Sequence, residues 1–409
     1  MAYIVQKFGG TSIATVDLIK KVALRVKSEV EAGHHVVVVV SAMSGTTNKL
    51  VDYVRELSPT YDRAEYDAVV SSGEQVTAGL LAIALQSIGI PARSWFGWQI
   101  PIQTNSQYAH ATIEHIDGAH LIADLNQGRV AIVSGFQGVS PEGRVTTLGR
   151  GGSDTTAVAI AAAINAERCD IFTDVDGIYT ADPRYVTSAG RLDHIAYQEM
   201  LELSAQGAKV LQRESVEFAM KHQVRLRVLS SLSEAPGTLV TSDDELVLQK
   251  KKISGLAHTL NEVKLTLTSL PQSNPQLEII KELLEAQHIA FDMLHSTLST
   301  CGQHLDCSFT VLATEGERAI DILMKAKNNL DFNDLLRDSD VAKVSVIGSG
   351  LQTGHSPSHK LFQTLHMEGI EVQAVSASDI KLSVLVPAKN AGRAVASLHT
   401  VYQLDVEDC

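Results

Sequence analysis

Thr146-Thr-Leu-Gly-Arg-Gly-Gly-Ser-Asp-Thr-Thr156 lies between two apolar runs, Val130-Ala-Ile-Val-Ser-Gly135 before it and Ala157-Val-Ala-Ile-Ala-Ala-Ala-Ile164 after it. The first run reads as a strand and the second as a helix, which makes the stretch a strand-to-helix junction. Its glycines, Arg150 and the Ser153-Asp154 pair at a helix start suit an anion held against backbone N–H groups. A hairpin followed by Asp154 as helix N-cap accounts for the same residues, so the choice rests on the rest of the chain.

Outward from this junction the alternation recurs. Tyr3–Phe8 reads as a buried strand and Gly9-Gly-Thr-Ser12 as the turn after it. Ile13, Val16, Ile19, Val22, Val26 and Val30 follow the period of an amphipathic helix ending at Gly33. The valines from Val36 to Val40 predict a strand covered on both faces, as in a parallel sheet. Helices over 76–88 and 155–166, with strands over 131–133, 171–173 and 224–229, carry the pattern to residue 245. Such a chain forms an α/β domain with an open sheet whose functional loops leave the strand C-termini.

A chain of 409 residues is too long for one ordinary core and predicts two or three units. Its 44% hydrophobic and 20% charged residues are those of a globular protein. No apolar run approaches the roughly 20 residues that span a bilayer, and the first residues lack a signal-peptide layout. A cytoplasmic location is the expectation. The four cysteines are widely spaced and the fifteen histidines contain no His-Glu-x-x-His, so neither a disulfide framework nor a protein-held metal is expected. A net charge of −13 has the wrong sign for nucleic acid or an anionic membrane. An anionic substrate must then be held by local cations, which singles out Lys7, Arg150, Arg184 and Lys209.

Past residue 245 the composition shifts. Ser242-Asp-Asp-Glu245 and Lys250-Lys-Lys252 are solvated charge runs that read as a linker, with 246–261 the linker and entry to the C-terminal region. Two copies of a strand–helix–strand–strand–helix pattern follow, over 262–338 and 339–409. The first places strands at 263–268, near 289–294 and at 307–312, with helices at 276–286 and 318–328. The second places strands at 342–347, near 370–375 and at 381–386, with helices at 358–367 and 391–399. Small α+β modules of this kind commonly pair sheet edges, which predicts an oligomer.

Lys7-Phe-Gly-Gly-Thr-Ser12 is not a Walker A loop, since its lysine precedes the glycines. A lysine ending a strand can still reach a phosphate over the glycine turn and neutralise charge in phosphoryl transfer. Ser41-Ala-Met-Ser-Gly-Thr-Thr47 offers hydroxyls at the next strand end, as ordinary turns also do. Ser71-Ser-Gly-Glu74 fits a capping box, and equally places a carboxylate where an ammonium group can meet it. Thr173-Asp-Val-Asp-Gly-Ile-Tyr-Thr-Ala-Asp-Pro-Arg184 also opens at a strand end. Its Asp-Gly and Asp-Pro steps are turn signals, while its acidic, aromatic and basic groups suit a nucleotide.

With Gly207-Ala-Lys-Val-Leu211 added, these motifs come in the order found in aspartate kinases, and the chain resembles that family over its whole length. The resemblance implies an amino-acid kinase fold, a carbamate-kinase-like α/β sandwich, over 1–245, and two ferredoxin-like βαββαβ ACT domains over 262–338 and 339–409. It implies transfer of the γ-phosphoryl group of ATP, with Mg²⁺, to the β-carboxylate of L-aspartate, at the head of lysine, threonine and methionine synthesis. A carboxylate is already nucleophilic, so positioning and charge stabilisation carry such a reaction without a strong base.

Position by position, the resemblance implies that Lys7 stabilises the transferring phosphoryl group and that Asp154 orients the charge network around this lysine. Arg150 binds a carboxylate of aspartate, and Glu74 meets its ammonium, with Ser41, Thr47 and Ser153 nearby. Gly9 and Gly10 approach the phosphates, while Thr173, Asp174, Tyr179, Asp182, Arg184 and Lys209 hold the nucleotide. Lysine and threonine are the implied effectors, Asn274, Gln276 and Asp292 the candidate residues for them, and a homo-oligomer, dimer or tetramer, through the ACT domains is implied.

Two features depart from the family. ACT domains often carry Asp-x-Pro-Gly after the first strand, whereas this chain has Gln272-Ser-Asn-Pro275 and His355-Ser-Pro-Ser358, with no glycine at that position in either. Weak or atypical feedback by lysine and threonine is therefore expected. No methionine lies between Met220 and Met293, so a homo-oligomer is expected and not a separate small subunit from an internal start. A kinase of the same fold acting on another acidic amino acid is one alternative, opposed by the paired ACT-like modules. A catalytically silent amino-acid sensor is the other, opposed by the intact Lys7, Glu74, Arg150 and Asp154.

Overall fold

A computed structural model describes residues 1–207, 210–246, 253–272, 275–298, 304–351 and 356–405. Two compact units are present. Met1–Ile178, Arg191–Ser204 and Lys209–Lys250 form the first, and Tyr179–Gly190, Ala205–Ala208 and Lys251–Cys409 form the second.

The first unit begins with β1 (Tyr3–Phe8), α1 (Val16–Glu31), β2 (His35–Val40), α2 (Thr46–Leu57), α3 (Arg63–Val70), α4 (Ser72–Ser87) and β3 (Ala92–Trp95). It continues through β4 (Ile102–Thr104), β5 (Ile113–Ile116), α5 (Ala119–Asn126), β6 (Val130–Ser134), β7 (Gln137–Val139), β8 (Val145–Thr147), α6 (Gly152–Ala163) and β9 (Arg168–Thr173). β10 (His194–Ala196), α7 (Tyr197–Ala205), α8 (Arg213–His222), β11 (Leu226–Ser230) and β12 (Thr238–Thr241) complete the order.

Among the described residues the main sheet runs β10-β12-β11-β9-β1-β2-β6-β3. β1 pairs in parallel with β2 and with β9, setting Lys7 level with Val39 and Ile171. The expected buried strands and glycine turn thus sit mid-sheet, at its C-terminal edge. Phe8, Val38 and Val40 pack under α1 and α4 with Ile19, Val26, Leu81 and Leu85. Val37 and Val39 point the other way by strand alternation and are also fully buried, as a strand covered on both faces requires.

A second sheet, β5-β4-β7-β8, was not legible in the sequence, because strands this short carry too little periodicity. Its last strand feeds the glycine-rich stretch directly. Asp67 of α3 holds that strand in place, accepting from Thr147 N at 2.9 Å, Thr147 Oγ1 at 2.6 Å and Ala109 N at 3.0 Å. The helical stretch Arg63–Ser87 is long and apolar enough to cross a membrane, but α4 buries Ala78, Leu81 and Leu85 in this core.

In the second unit, β13 (Gly255–Thr259) is followed by β14 (Glu262–Leu270), α9 (Pro275–Glu285), β15 (Phe291–Leu298), β16 (Leu305–Leu312), α10 (Gly316–Lys325), α11 (Lys327–Leu330) and β17 (Leu335–Asp338). Then come β18 (Val341–Ile347), α12 (Ser356–Met367), β19 (Ala374–Ala377), β20 (Lys381–Pro387) and α13 (Ala391–Val401). The sheets run β15-β16-β14-β17 and β13-β18-β20-β19. The two modules are therefore nested and not simply in tandem: β13, from the stretch expected as linker, pairs antiparallel with β18 and completes the second module's sheet. Nothing local to Gly255-Leu-Ala-His-Thr259 announces a partner so far along the chain.

Strands expected near 289–294 and 370–375 begin later than Ile289 and Ile370. Both isoleucines are buried helix-end residues whose N–H groups return to Leu284 O and Leu365 O, each at 2.9 Å. Left-handed His288 and Gly369 precede them, as in a Schellman motif with its apolar contact. A further departure concerns Tyr179–Gly190. Expected within the catalytic stretch 1–245, it instead contributes Ala181, Val186 and Ala189 to the second unit's core beside Val395 and Leu398.

Candidate active site

Lys7 reaches from β1 to the first turn of α6, where Nζ lies 2.5 Å from Asp154 Oδ1. Asp154 is not the helix N-cap. That position belongs to Gly151, in the left-handed region at φ 75°, which glycine adopts without strain and which leaves the aspartate free to turn to the lysine. The N-terminal end of the helix dipole also favours the carboxylate there.

The turn after β1 is shaped by missing side chains. A Cβ on Gly10 would sit 2.8 Å from Ala42 O, and one on Gly9 would sit 3.4 Å from Lys7 Nζ. Gly10 O accepts from Ser44 N at 3.2 Å, Ser41 N donates to Phe8 O at 3.1 Å, and Gly135 N donates to Val40 O at 3.0 Å. These bonds gather the loops that follow β1, β2 and β6. Ser153 is buried against Gly135, where a Cβ would come within 2.8 Å of the serine Oγ.

The capping box does not form: Ser71 makes no side-chain cap, and Ser72 Oγ donates to Val69 O. Glu74 instead accepts from Ala42 N through Oε1 at 3.0 Å, while buried Oε2 has no hydrogen-bond partner among the described residues. Burial pushes its pKa up to about 7, against the lowering effect of the Ala42 N–H. A buried, half-satisfied carboxylate is chemically fitted to an incoming cation. Ser41 and Thr47 are half-buried in the loop that it anchors, and Arg150 is exposed, with no ion pair among the described residues.

The residues expected for the nucleotide divide between the units. Thr173 ends β9 and donates through Oγ1 to Asp174 at 3.1 Å, while its carbonyl accepts from Ser231 N at 2.8 Å. Tyr179, Asp182 and Arg184 belong to the second unit. Arg184 Nη2 donates to Asp182 Oδ2 at 2.6 Å, and this bond draws the aspartate below the usual carboxylate range. Lys209 and Asn274 lie outside the described residues, as do 273 and 355 of the glycine-free loops. Gln276 lies in the first turn of α9, and Asp292 of β15 is bound to Lys343 at 3.0 Å. Among the described residues no cluster of three His, Cys, Asp or Glu side chains gathers to hold a metal. Sequence reading missed Asp67, Gly135 and Lys343, which carry no motif and act through contacts distant in sequence.

The Amino acid kinase family pattern matches residues 2–230, and the ACT domain pattern matches 344–402. The chain belongs to the amino acid kinase family. It is 46% identical to the aspartokinase of Pseudomonas aeruginosa over 99% of this chain and 98% of that one. The structure of E. coli aspartokinase III in complex with aspartate and ADP (R-state) matches with a TM-score of 0.80 at 28% identity, covering 98% of this chain and 99% of that one. The same enzyme in complex with lysine and aspartate (T-state) matches with a TM-score of 0.77 at 29% identity, covering 97% and 99%. Within its family the chain therefore falls among the aspartate kinases.

Proposed function

We propose that this chain transfers the γ-phosphoryl group of ATP to the β-carboxylate of L-aspartate, giving 4-phospho-L-aspartate and ADP for lysine, threonine and methionine synthesis in the cytoplasm. The observation that carries this reading is the Lys7–Asp154 pair beside a glycine turn with no side chains in the way. An oxygen of the aspartate β-carboxylate attacks the γ-phosphorus, the bond to the bridging oxygen breaks, and ADP leaves with the electron pair. Lys7 offsets the charge carried by the transferring oxygens, and Asp154 keeps its ammonium aimed. ATP is taken with Mg²⁺, which offsets phosphate charge when bound.

Glu74 receives the substrate ammonium on its unpaired oxygen, Arg150 binds a substrate carboxylate, and Ser41, Thr47 and Ser153 orient the remainder. Thr173, Asp174, Tyr179, Asp182, Arg184 and Lys209 hold the nucleotide, with phosphates over Gly9 and Gly10. A hydroxamate assay with ATP, Mg²⁺ and a panel of acidic amino acids tests the reading. Product with aspartate and not with glutamate or acetylglutamate is expected; no product with aspartate would sink it.

The lysine complex of the E. coli neighbour makes lysine the first effector to test, at ACT residues that include Asn274, Gln276 and Asp292. The glycine-free loops support weak or atypical inhibition by lysine and threonine. Titration of each alone and of both together decides this, and strong inhibition below millimolar levels is the contrary result. A homo-oligomer through the ACT modules is the accompanying reading, tested by light scattering with an intact-mass spectrum for a second chain.

A further inference from the structure

The Tyr179–Gly190 segment follows β9 in sequence but is held by the end of the chain. His399 of α13 is fully buried, with Nε2 2.8 Å from Thr180 Oγ1 and Nδ1 3.0 Å from Asp405 Oδ1. Asp405 also accepts from Ser188 Oγ at 2.6 Å, and it forms an antiparallel bridge with Ala189. Thr180 N donates to Gly190 O at 2.8 Å, and Thr180 Oγ1 accepts from Gly190 N at 3.0 Å. The two arms of this loop are thus tied to each other through Thr180. They are also tied to the C-terminal residues, one arm through His399 and the other through Asp405.

The chemistry of the clasp favours a fixed geometry. Asp405 holds the proton on Nδ1, which leaves Nε2 to accept from the Thr180 hydroxyl; Leu404 O lies farther from that hydroxyl, at 3.3 Å. A fully buried imidazole with two specific partners fixes orientation more than it adds stability, since apolar packing in the same space costs less to desolvate. Beyond the clasp, the apex carrying Asp182 and Arg184 faces solvent, with the Arg184 side chain 84% exposed. One end of the segment is locked and the other is available to a ligand.

We infer that His399 is a positioning residue for the nucleotide: through Thr180 and Asp405 it sets the loop bearing Tyr179, Asp182 and Arg184, so that the fold of the second ACT module sets the affinity for ATP. The inference rests on the reading of this loop as nucleotide-binding. It makes a helix of the regulatory module part of the ATP requirement without any contact to ATP.

Steady-state kinetics on the full chain test it with His399→Leu, His399→Gln and Arg184→Ala. His399→Leu is expected to raise KM for ATP about five- to tenfold, the worth of one lost buried hydrogen bond. KM for aspartate and kcat should stay within about twofold, the margin of a spared interaction. His399→Gln, whose amide can still reach Thr180, should recover part of the loss. An unchanged KM for ATP in a folded His399→Leu variant, alongside a raised one in Arg184→Ala, overturns the inference and leaves the nucleotide loop standing. An unchanged KM in Arg184→Ala overturns the loop reading itself. Should His399→Leu not fold, Asp405→Asn, changed at the surface end of the clasp, must raise KM for ATP alone; equal losses in kcat and in both KM values would mark the clasp as merely structural.

Discussion

Lys7 Nζ and Asp154 Oδ1 lie 2.5 Å apart, with side chains only 11% and 10% exposed. A pair this sheltered from water holds one geometry, and loss of either partner strands a charge. The pair also joins the central strand of the sheet to the helix that follows the glycine-rich stretch, so the cation is aimed by two rigid elements.

Lys7→Ala is therefore expected to lower kcat by on the order of a hundredfold or more, the usual effect of removing one donor to transition-state charge. Asp154→Asn should also lower kcat, with a smaller change in KM for aspartate, because the lysine remains but loses its tether. Steady-state kinetics with both substrates varied checks each, and near-normal turnover in Lys7→Ala would refute the assigned role.

Glu74 gives a pH signature. Its pKa rises from 4.5 to about 7 by burial, so between these values the folded protein binds more protons than the unfolded chain. Its stabilising contribution is full below the lower value and is lost as pH rises through the upper one. On the order of 3 kcal/mol is at stake across the window. Thermal melts of the substrate-free protein should show a downward slope with pH that Glu74→Gln removes. Aspartate binding near pH 6 should release a proton, since an incoming ammonium favours the charged carboxylate; calorimetry in buffers of different ionisation enthalpy reads that directly.

Two glycines should respond in opposite directions. In Gly10→Ala the new methyl would lie 2.8 Å from the backbone oxygen of Ala42, which cannot swing aside. A loss of about 1–3 kcal/mol is expected, as for overpacking elsewhere, with KM raised for both substrates. Gly79, inside α4, has nothing within 4 Å of a Cβ, so Gly79→Ala should stabilise by roughly 0.4–1 kcal/mol through the unfolded chain. Denaturant melts rank the pair, and equal effects would contradict the packing around Gly10.

What the sequence revealed depended on how local the cause was. The strands with Lys7 and with Val36 to Val40, and the helix after the glycines, were legible because burial writes itself into apolar periodicity. Glu74 stayed ambiguous, since a capping box and a carboxylate free for other partners use the same spacing; the absent Ser71 cap and the bond from Ala42 N exclude the box. β13, Tyr179–Gly190 and Asp67 were not legible in these roles, because each is defined by a partner far along the chain. Ile289 and Ile370 misled for the opposite reason, being apolar residues buried at helix ends and not in strands.

Lys343 is a buried cation with two carboxylate partners on neighbouring strands. Its Nζ lies 2.7 Å from Glu262 Oε1 and 3.0 Å from Asp292 Oδ2, so one ammonium ties β14, β15 and β18 together. Burial opposes both charges, yet the mutual attraction wins: the Lys343 pKa is raised and that of Asp292 is lowered. Lys343→Met leaves two carboxylates without their cation and should destabilise by about 3–5 kcal/mol. Asp292→Asn should cost less, because Glu262 keeps its partner. The Asp292 contribution is present above the ordinary carboxylate range and is lost as pH falls through its lowered folded pKa. Acid melts should therefore flatten in Asp292→Asn. On the proposal that Asp292 meets an effector, a cationic one would have to displace the Lys343 ammonium already in place. Denaturant melts of the variants, read with lysine titrations, check both consequences; a neutral Lys343→Met would show that the carboxylates find other partners or take up protons at no cost.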